Sequence, residues 1–200
     1  MALKFQYNKT SLQALDKQLK VRLNALPTLQ AKESALRLEV KKAREAVQKI
    51  IVEYEAKMTE IKKSARLWGE FPSGIISVGT IKLSAKKTAG VKVPVIDSVQ
   101  YNVARFSLFA NRPWVVSGLE ILKKAANLRI ERQVLEKKTT LLEYARKKTT
   151  QKVNLYEKVQ IPEYRESILK IKRFIEDEEN LAKSSQKILK ERMARAEAAS

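Results

Sequence analysis

The sequence contains no cysteine and no histidine, and these two absences remove most enzyme chemistry from consideration. Without cysteine there is no disulfide framework, no thiolate metal site and no cysteine nucleophile. Without histidine, the commonest metal ligand and the commonest general base are missing as well. No paired-carboxylate site or activated nucleophile is visible among the other residues. We therefore predict that the chain is not an enzyme and has no catalytic residues, no metal site and no cofactor.

Glycine, proline and aromatic residues are scarce, with five glycines, five prolines and 6% aromatics in 200 residues. Such a chain lacks the turns of a compact mixed fold, and its abundance of Ala, Leu, Glu, Lys and Arg is typical of long helices. Long apolar runs are also missing. The start of the sequence has no signal-peptide pattern, and no stretch of about 18 apolar residues occurs. We expect a cytoplasmic protein without direct membrane insertion.

The first 68 residues carry an apolar repeat with alternating steps of three and four. The repeat begins at Leu12 and ends at Trp68, and thirteen of its seventeen positions are apolar. Heptad spacing sustained over more than four repeats predicts a coiled-coil helix. The polar exceptions are Arg22, Glu33, Lys57 and Ser64. Either they are local irregularities whose long side chains reach out of the seam, or they control the register or make a polar contact to another protein of an assembly.

Two prolines lie inside the helical pattern. A proline in a helix interior removes one backbone hydrogen bond and costs roughly 3 kcal/mol. Pro27 therefore predicts a kink or a restart of the first helix, and the repeat on both sides of it favours the kink. Pro162 predicts a kink for the same reason. At the start of the first helix, the candidate N-caps are Asn8, Thr10 and Ser11.

Residues 69–113 break the helical pattern and contain most of the glycines and β-branched runs. We predict a β-hairpin in which residues 76–83 pair with residues 91–103 across a polar connection from Ser84 to Gly90. Pro94 has no backbone donor, so the second strand is an edge strand or is interrupted there. A hairpin alone is marginal, and it must pack on the helix ends. The aromatic residues that would provide this packing are Trp68, Phe71, Phe106, Phe109 and Trp114.

Residues 114–200 form a second helical arm. Its apolar stripe passes through Leu141 and Ala145, weakens over residues 147–152 and returns in a shifted phase from Val153, which predicts a stutter. The stripe then continues at Ile161, Tyr164, Ile168, Ile171 and Ile175. After the acidic run at residues 176–179 it becomes thin, and this arm is long enough to extend past the first.

These patterns predict a mainly α fold, with a long antiparallel two-helix coiled coil. They place a small β-hairpin region at the end opposite the termini. The predicted segments are a helix over residues 1–68, a hairpin and loop region over residues 69–113 and a helix over residues 114–200.

The formal net charge of +19 admits two interpretations. One is a basic coiled-coil adaptor that binds nucleic acid or an anionic membrane. The other is a solvated basic surface inside an assembly whose other members are acidic. Lys and Arg are spread along both arms, without the compact cluster interleaved with aromatics that a single-strand binder needs. We favour the second interpretation and keep the first as the alternative.

Three separated blocks of the chain resemble the D-type rotor protein of V-type and A-type ATPases. They are residues 8–12 with the Lys- and Leu-rich run that follows, residues 89–96, and residues 152–162 with the stripe up to Ile175. The second block is similar to the family's Gly-Val-x-Val-Pro block, and the third to its Arg/Lys-Val-Asn-x-Leu-Glu…Ile-Pro signature. The chain departs from this signature at Leu155 and Tyr156. It departs again at residues 26–29, where many members carry a Gly-containing basic stretch.

This resemblance implies that the coiled coil is the central shaft of a rotary motor. The end with both termini would sit in a ring of alternating catalytic and regulatory subunits, of A and B type. The other end would reach the membrane rotor through an adaptor protein, and the small F-type protein of the central stalk would dock on the shaft. The chain would transmit torque between ATP hydrolysis or synthesis in the ring and ion translocation in the membrane. It would be peripheral to the membrane, with no nucleic-acid partner.

The same resemblance assigns expected contacts to individual residues. Those expected to face the catalytic ring are Lys9, Lys17, Arg192 and Arg195. Those expected in the seam of the shaft are Val153, Tyr156 and Ile161. Those expected to meet a partner at the hairpin tip are Val91, Val93 and Ile96. For each basic residue the alternative is a solvated charge on a helix surface.

Overall fold

The computed structural model describes residues 5–107 and 112–197. Its elements are helix α1 (Lys9–Lys63), the short helix α2 (Ala65–Trp68), strands β1 (Ile76–Thr88) and β2 (Val91–Val103), helix α3 (Trp114–Leu155), a π-helical turn (Tyr156–Gln160) and helix α4 (Ile161–Glu197). The two strands form one antiparallel sheet. The prediction of a mainly α fold with long helices and a two-stranded hairpin is therefore confirmed. No helix in the described ranges is long and apolar enough to cross a membrane.

The chain divides into two compact units by its internal contacts. The first unit combines residues 1–31 with residues 149–200, and the second comprises residues 32–148.

In the first unit, the start of α1 packs on α4 in an antiparallel direction. Lys9 contacts Glu179 at 3.2 Å. Farther along, the Tyr164 hydroxyl donates to Oε1 of Gln18 at 2.7 Å, and Nε of Arg22 donates to Oε1 of Gln160 at 2.8 Å. Along these three contacts the residue number rises on α1 as it falls on the partner segment, so the two run antiparallel. The buried core of this unit consists of Leu15, Tyr164, Ile168 and Ile171.

In the second unit, the hairpin packs along the helices. Val93 of β2 is 1% exposed and packs in a core cluster with Leu36, Val40, Ala43 and Leu142. At the other end of the strand, the Tyr101 hydroxyl donates to Oδ1 of Asn127 at 2.5 Å. Across the helix pair itself, Nε of Arg44 donates to Oε1 of Glu143 at 2.7 Å. The hairpin thus supplies a third layer that completes the burial of the helix seam.

The heptad repeat of the first arm coincides with the buried side of α1. All seventeen of its positions, from Leu12 to Trp68, are buried or half-buried. In the second arm the prediction is wrong at Leu141, which is 41% exposed, whereas its neighbour Leu142 is fully buried. Leu142 lies in a core cluster with residues of α1 and with Val93 of the hairpin, so the buried side of α3 is displaced by one residue from the predicted stripe.

Neither internal proline ends its helix. Helix α1 is continuous through Pro27, so a restart at this residue is excluded. Pro162 is the second residue of α4 and lies two residues after the end of the π-helical turn, at which the amide of Ile161 donates to the carbonyl of Tyr156. A π turn accommodates one extra residue, and it is the structural form of the phase shift predicted near Val153. At the start of α1, Asn8 is the cap, since its Oδ1 accepts from the Ser11 amide at 2.7 Å.

The hairpin differs from the prediction in its first strand. The polar connection predicted from Ser84 to Gly90 is wrong, because β1 continues to Thr88 and only Ala89 and Gly90 form the turn. Both turn residues have positive φ, +48° and +79°, as a two-residue type I′ turn requires. The polar residues before the turn reflect solvent exposure and not a loop. Pro94 lies inside β2 opposite Ala85, so the strand is not interrupted.

The base of the hairpin packs on the helix ends as predicted. The rings of Trp68, Phe71 and Trp114 lie with centroids 5.5 to 5.8 Å apart. Phe106 packs on the same cluster around Val115. Phe109, which was predicted to join them, lies outside the described residues.

Candidate protein-interaction surfaces

The described residues offer several surfaces for contact with other proteins. No group of three or more His, Cys, Asp or Glu side chains among them could hold a metal ion. An open groove of about 410 Å³ lies between β2 and α3, with Ile96 and Val99 on one side and Val134 and Leu135 on the other. Its lining is mostly apolar, which suits burial of another apolar surface.

Among residues 5–107 and 112–197, the pKa values of Tyr101, Glu60 and Arg132 are shifted, and each shift has a structural cause. Burial raises the pKa of Tyr101. The hydrogen bond from Lys57 lowers the pKa of Glu60, and the hydrogen bond to Glu136 raises the pKa of Arg132. Perturbed groups identify catalytic sites when they meet in a cleft, and these three lie on separate elements. They report packing and ion pairing.

The last part of α4, from Asn180 onward, belongs to no core cluster in the part of the chain that the structure describes. Every residue from Glu176 to Arg195 is exposed. The large apolar side chains among them are Leu181 (69% exposed), Ile188 (52%), Leu189 (59%) and Met193 (63%). Residues 180–197, which we call the free end of α4, would extend about 27 Å as a helix. Exposed apolar side chains concentrated on one helix are typical of a binding surface.

The free end of α4 is also basic. Its cations are Lys183, Lys187, Lys190, Arg192 and Arg195, and its anions are Glu191 and Glu197. An acidic run at residues 176–179 separates this basic segment from the packed part of the helix. The free end therefore combines apolar and cationic groups, and it suits a partner with an apolar, acidic lining.

The residues expected to face a ring are all exposed in the first unit. Lys9 forms an exposed ion pair with Glu179 at 3.2 Å, and Lys17 lies on the outer surface of α1. Arg192 and Arg195 lie on the free end of α4. These positions leave the side chains available to a partner, so the expected contacts stay predictions.

The residues expected in the seam lie beside a polar cluster. Ile161 is buried, whereas Val153 and Tyr156 are half-buried. The guanidinium of Arg22 lies 4.4 Å from the centroid of the Tyr164 ring and 6.0 Å from that of Tyr156. Arg22 thus has its aromatic and hydrogen-bonding partners inside this chain, next to the π-helical turn.

The residues expected at the hairpin tip are not equally accessible. Val93 is buried inside the second unit, where all its packing partners belong to this chain. Val91, next to the turn, is half-buried against the same cluster. Ile96 is half-buried farther along β2 and lines the groove against α3. Val91 and Ile96 retain surface for a partner, and the contribution of Val93 is to the core.

The sequence reasoning missed a group of four lysines around the hairpin turn, which we call the basic hairpin turn: Lys32, Lys86, Lys87 and Lys92. Lys87 lies directly opposite Lys92 in the sheet. Nζ of Lys32 lies 3.7 Å from where a Cβ on Gly90 would be. The pattern Lys-Lys-Thr-Ala-Gly-Val-Lys was a signal for three of them, because it flanks a turn. Lys32 is distant in sequence and only the fold brings it there.

Comparison with known proteins gives one consistent result. Residues 11–191 match the family model that describes the D subunit of ATP synthase. The D subunit of the V-type ATP synthase of Borreliella burgdorferi is 33% identical over 189 residues, covering 94% of both chains. The proteins of the same name from Chlamydia pneumoniae and Chlamydia abortus are each 27% identical, over 88% and 76% of this chain.

Proposed function

The chain belongs to the family of ATP synthase D subunits, and on that premise we propose that it is a non-catalytic central-stalk protein of a V-type or A-type rotary ATPase. In this role it transmits torque between the ring that hydrolyses or synthesises ATP and the membrane rotor that translocates ions. It works peripherally to the membrane. Its partners are the catalytic and regulatory ring subunits, the small F-type protein of the central stalk and an adaptor protein of the membrane rotor.

The observation that carries the proposal is the free end of α4. A helix of this length is marginal in water when its apolar side is uncovered. Its four large apolar side chains are exposed, and none of them belongs to a core cluster among residues 5–107 and 112–197. A cavity in the centre of a ring would cover all sides of such a helix at once, whereas a flat partner surface would cover only one side.

The charges of the free end are compatible with rotation. Exposed ion pairs contribute only about 0–1 kcal/mol each. Arg192, Arg195 and the neighbouring lysines can therefore exchange acidic partners around a ring without holding the shaft in a single orientation. The apolar contacts are non-directional and impose no preferred angle either.

The test is to reconstitute a ring of catalytic and regulatory subunits and to measure ATP hydrolysis with and without this chain. We expect the full chain to increase hydrolysis and a chain that lacks residues 180–200 to fail. A Leu189→Ala/Met193→Ala variant should lose most of the increase. The matched control is Val52→Ala, which removes an equally exposed apolar side chain from the second unit. Equal turnover with and without the full chain would contradict the proposal.

A covalent lock sharpens this test, and the absence of cysteine makes it practical. A Leu189→Cys chain oxidised to a cysteine introduced into the ring should stop ATP hydrolysis, because the shaft can no longer turn. Reduction should restore the rate in the same sample. Undiminished hydrolysis in the cross-linked complex would show that the chain does not rotate within the ring.

A further inference from the structure

Strand β1 of the hairpin is largely exposed and has one unpaired edge. The sheet has only two strands, so β1 pairs with β2 on one edge, and no strand among the described residues pairs with the other. Every residue of β1 from Ile81 to Lys87 is exposed, whereas β2 is half-buried over much of its length. Val78, Ile81 and Leu83 are large apolar residues among those exposed. A free edge of this kind is a template for another strand.

The charged side chains of the hairpin are almost all positive. It contains four lysines and a single acidic residue, Asp97, whose Oδ1 accepts from the Ser84 hydroxyl at 2.7 Å. Lys87 and Lys92 face each other directly, and directly opposed like charges destabilise a sheet. Lys32 adds a further ammonium group beside Gly90. None of the ion pairs found among residues 5–107 and 112–197 involves the basic hairpin turn.

These two properties select one kind of occupant. Lysines on an edge strand repel a second copy of the same strand, which is how many proteins prevent edge-to-edge aggregation. The same lysines attract a strand whose side chains are acidic. An extended polypeptide can pair with both the amides and the carbonyls of the edge in one regular ladder, which nucleic acid and lipid headgroups do not offer.

We propose that β1 is a docking site for an extended acidic segment of another protein, which adds to the free edge as a third strand and pairs its carboxylates with the basic hairpin turn. The backbone hydrogen bonds of the added strand supply affinity, and the lysines supply orientation and selectivity. Within a rotary ATPase such a segment would belong to a neighbouring protein of the complex. The proposal does not depend on that assembly, because the strand edge and the lysines belong to this chain alone.

The experiment uses the full chain and a short synthetic peptide of alternating glutamate and threonine. Hydrogen exchange with mass spectrometry is measured with and without the peptide, and we expect slower exchange in β1. A peptide of alternating glutamate and proline is the first control, because it has the same charge but lacks half of the amides needed for a strand. It should give no protection.

The second control separates this site from the general positive charge. A Lys86→Glu/Lys87→Glu chain should bind the acidic peptide roughly tenfold more weakly, as expected from the loss of two exposed ion pairs and their replacement by repulsion. A Lys62→Glu/Lys63→Glu chain undergoes the same charge change at the end of α1 and should bind nearly as well as the parent. Thermal melting of each variant confirms that it is folded.

Several results would overturn the proposal. These are unchanged exchange in β1, equal loss of binding in the two double variants, or equal binding of the proline peptide. Protection of β1 by single-stranded DNA or phosphatidylserine vesicles, but not by the peptide, would identify a different occupant. Protection that increases with chain concentration alone would identify a second copy. The isolated chain is used throughout, so failure here leaves the rotor proposal standing, and failure of the ring assay leaves this proposal standing.

Discussion

Helix α4 consists of two parts with the same secondary structure and opposite environments. Over residues 164–175 an apolar stripe packs on the start of α1, and Ile171 in this stripe is fully buried. From Glu176 onward every described side chain is exposed, although apolar residues still recur. The contrast shows that helical propensity and packing are separate properties of this chain. The first part stabilises the fold, and the second part is available to a partner.

The largest expected effect tests the packed part. Ile171→Ala removes a fully buried side chain, and we expect the free energy of unfolding to fall by about 2–5 kcal/mol. Leu189→Ala removes a similar side chain from the free end, and we expect a change within about 0.5 kcal/mol. Denaturant titration followed by circular dichroism measures both. Similar losses in the two variants would show that the free end packs on this chain.

A smaller effect is expected at the polar part of the same helix pair. Arg22→Ala removes a cation–π contact with Tyr164 and a hydrogen bond to Gln160, which together contribute about 1–3 kcal/mol. The matched control is Arg37→Ala, which breaks an ion pair between an exposed guanidinium and Glu33 one turn earlier and should cost about 0.5 kcal/mol or less. If the two variants have the same unfolding midpoint, Arg22 is not part of the seam.

Tyr101 lies in the hairpin, where we expect a substitution to lower the free energy of unfolding by less than in the helix pair. Burial raises its pKa, so its contribution to stability is fully present below the unfolded-state pKa of about 10 and is lost as pH rises through the higher folded-state value. Tyr101→Phe removes the hydroxyl and should cost about 1 kcal/mol at neutral pH. Denaturation at pH 8 and above pH 10 should show this difference shrinking. A constant difference would mean that the hydroxyl does not titrate with folding.

The smallest effect on stability is expected from removing residues 180–200. The described residues of this segment are exposed, so their loss should change the free energy of unfolding by less than about 0.5 kcal/mol. The circular dichroism signal should decrease only by the helix removed. A clear loss of stability in the truncated chain would contradict the division of α4 into a packed and a free part.

The sequence predicted the elements whose spacing is repetitive. The heptad positions from Leu12 to Trp68 were identified because each lies on the same side of one helix, whatever the partner is. The hairpin was recognised from its β-branched runs. The end of β1 was missed because Lys86 and Lys87 are as polar as loop residues, and exposure, which the sequence does not state, is what permits polar residues in a strand.

The candidate surfaces were less predictable for a related reason. Val93 was expected to contact a partner, since a valine near a hairpin turn gives no indication of which side faces the core. Leu142 was missed because its burial involves α1 and Val93 of β2, which are distant from it in sequence. The free end of α4 was visible in part, as the second arm was expected to extend past the first.

The π-helical turn at Tyr156–Gln160 determines which side of the following helix faces α1. It absorbs one residue, and one residue corresponds to about 100° of rotation in an α-helix. Deletion of a single residue from the turn would restore regular α-helical geometry and leave Tyr164, Ile168 and Ile171 on the side that faces α1. Deletion of Arg165, which lies after the turn, would instead rotate Ile168 and Ile171 away from α1 by about 100°. The same deletion in the free end, at Ser184, would disturb no internal contact. Tolerance to single-residue deletions should therefore change abruptly along one continuous helical stretch.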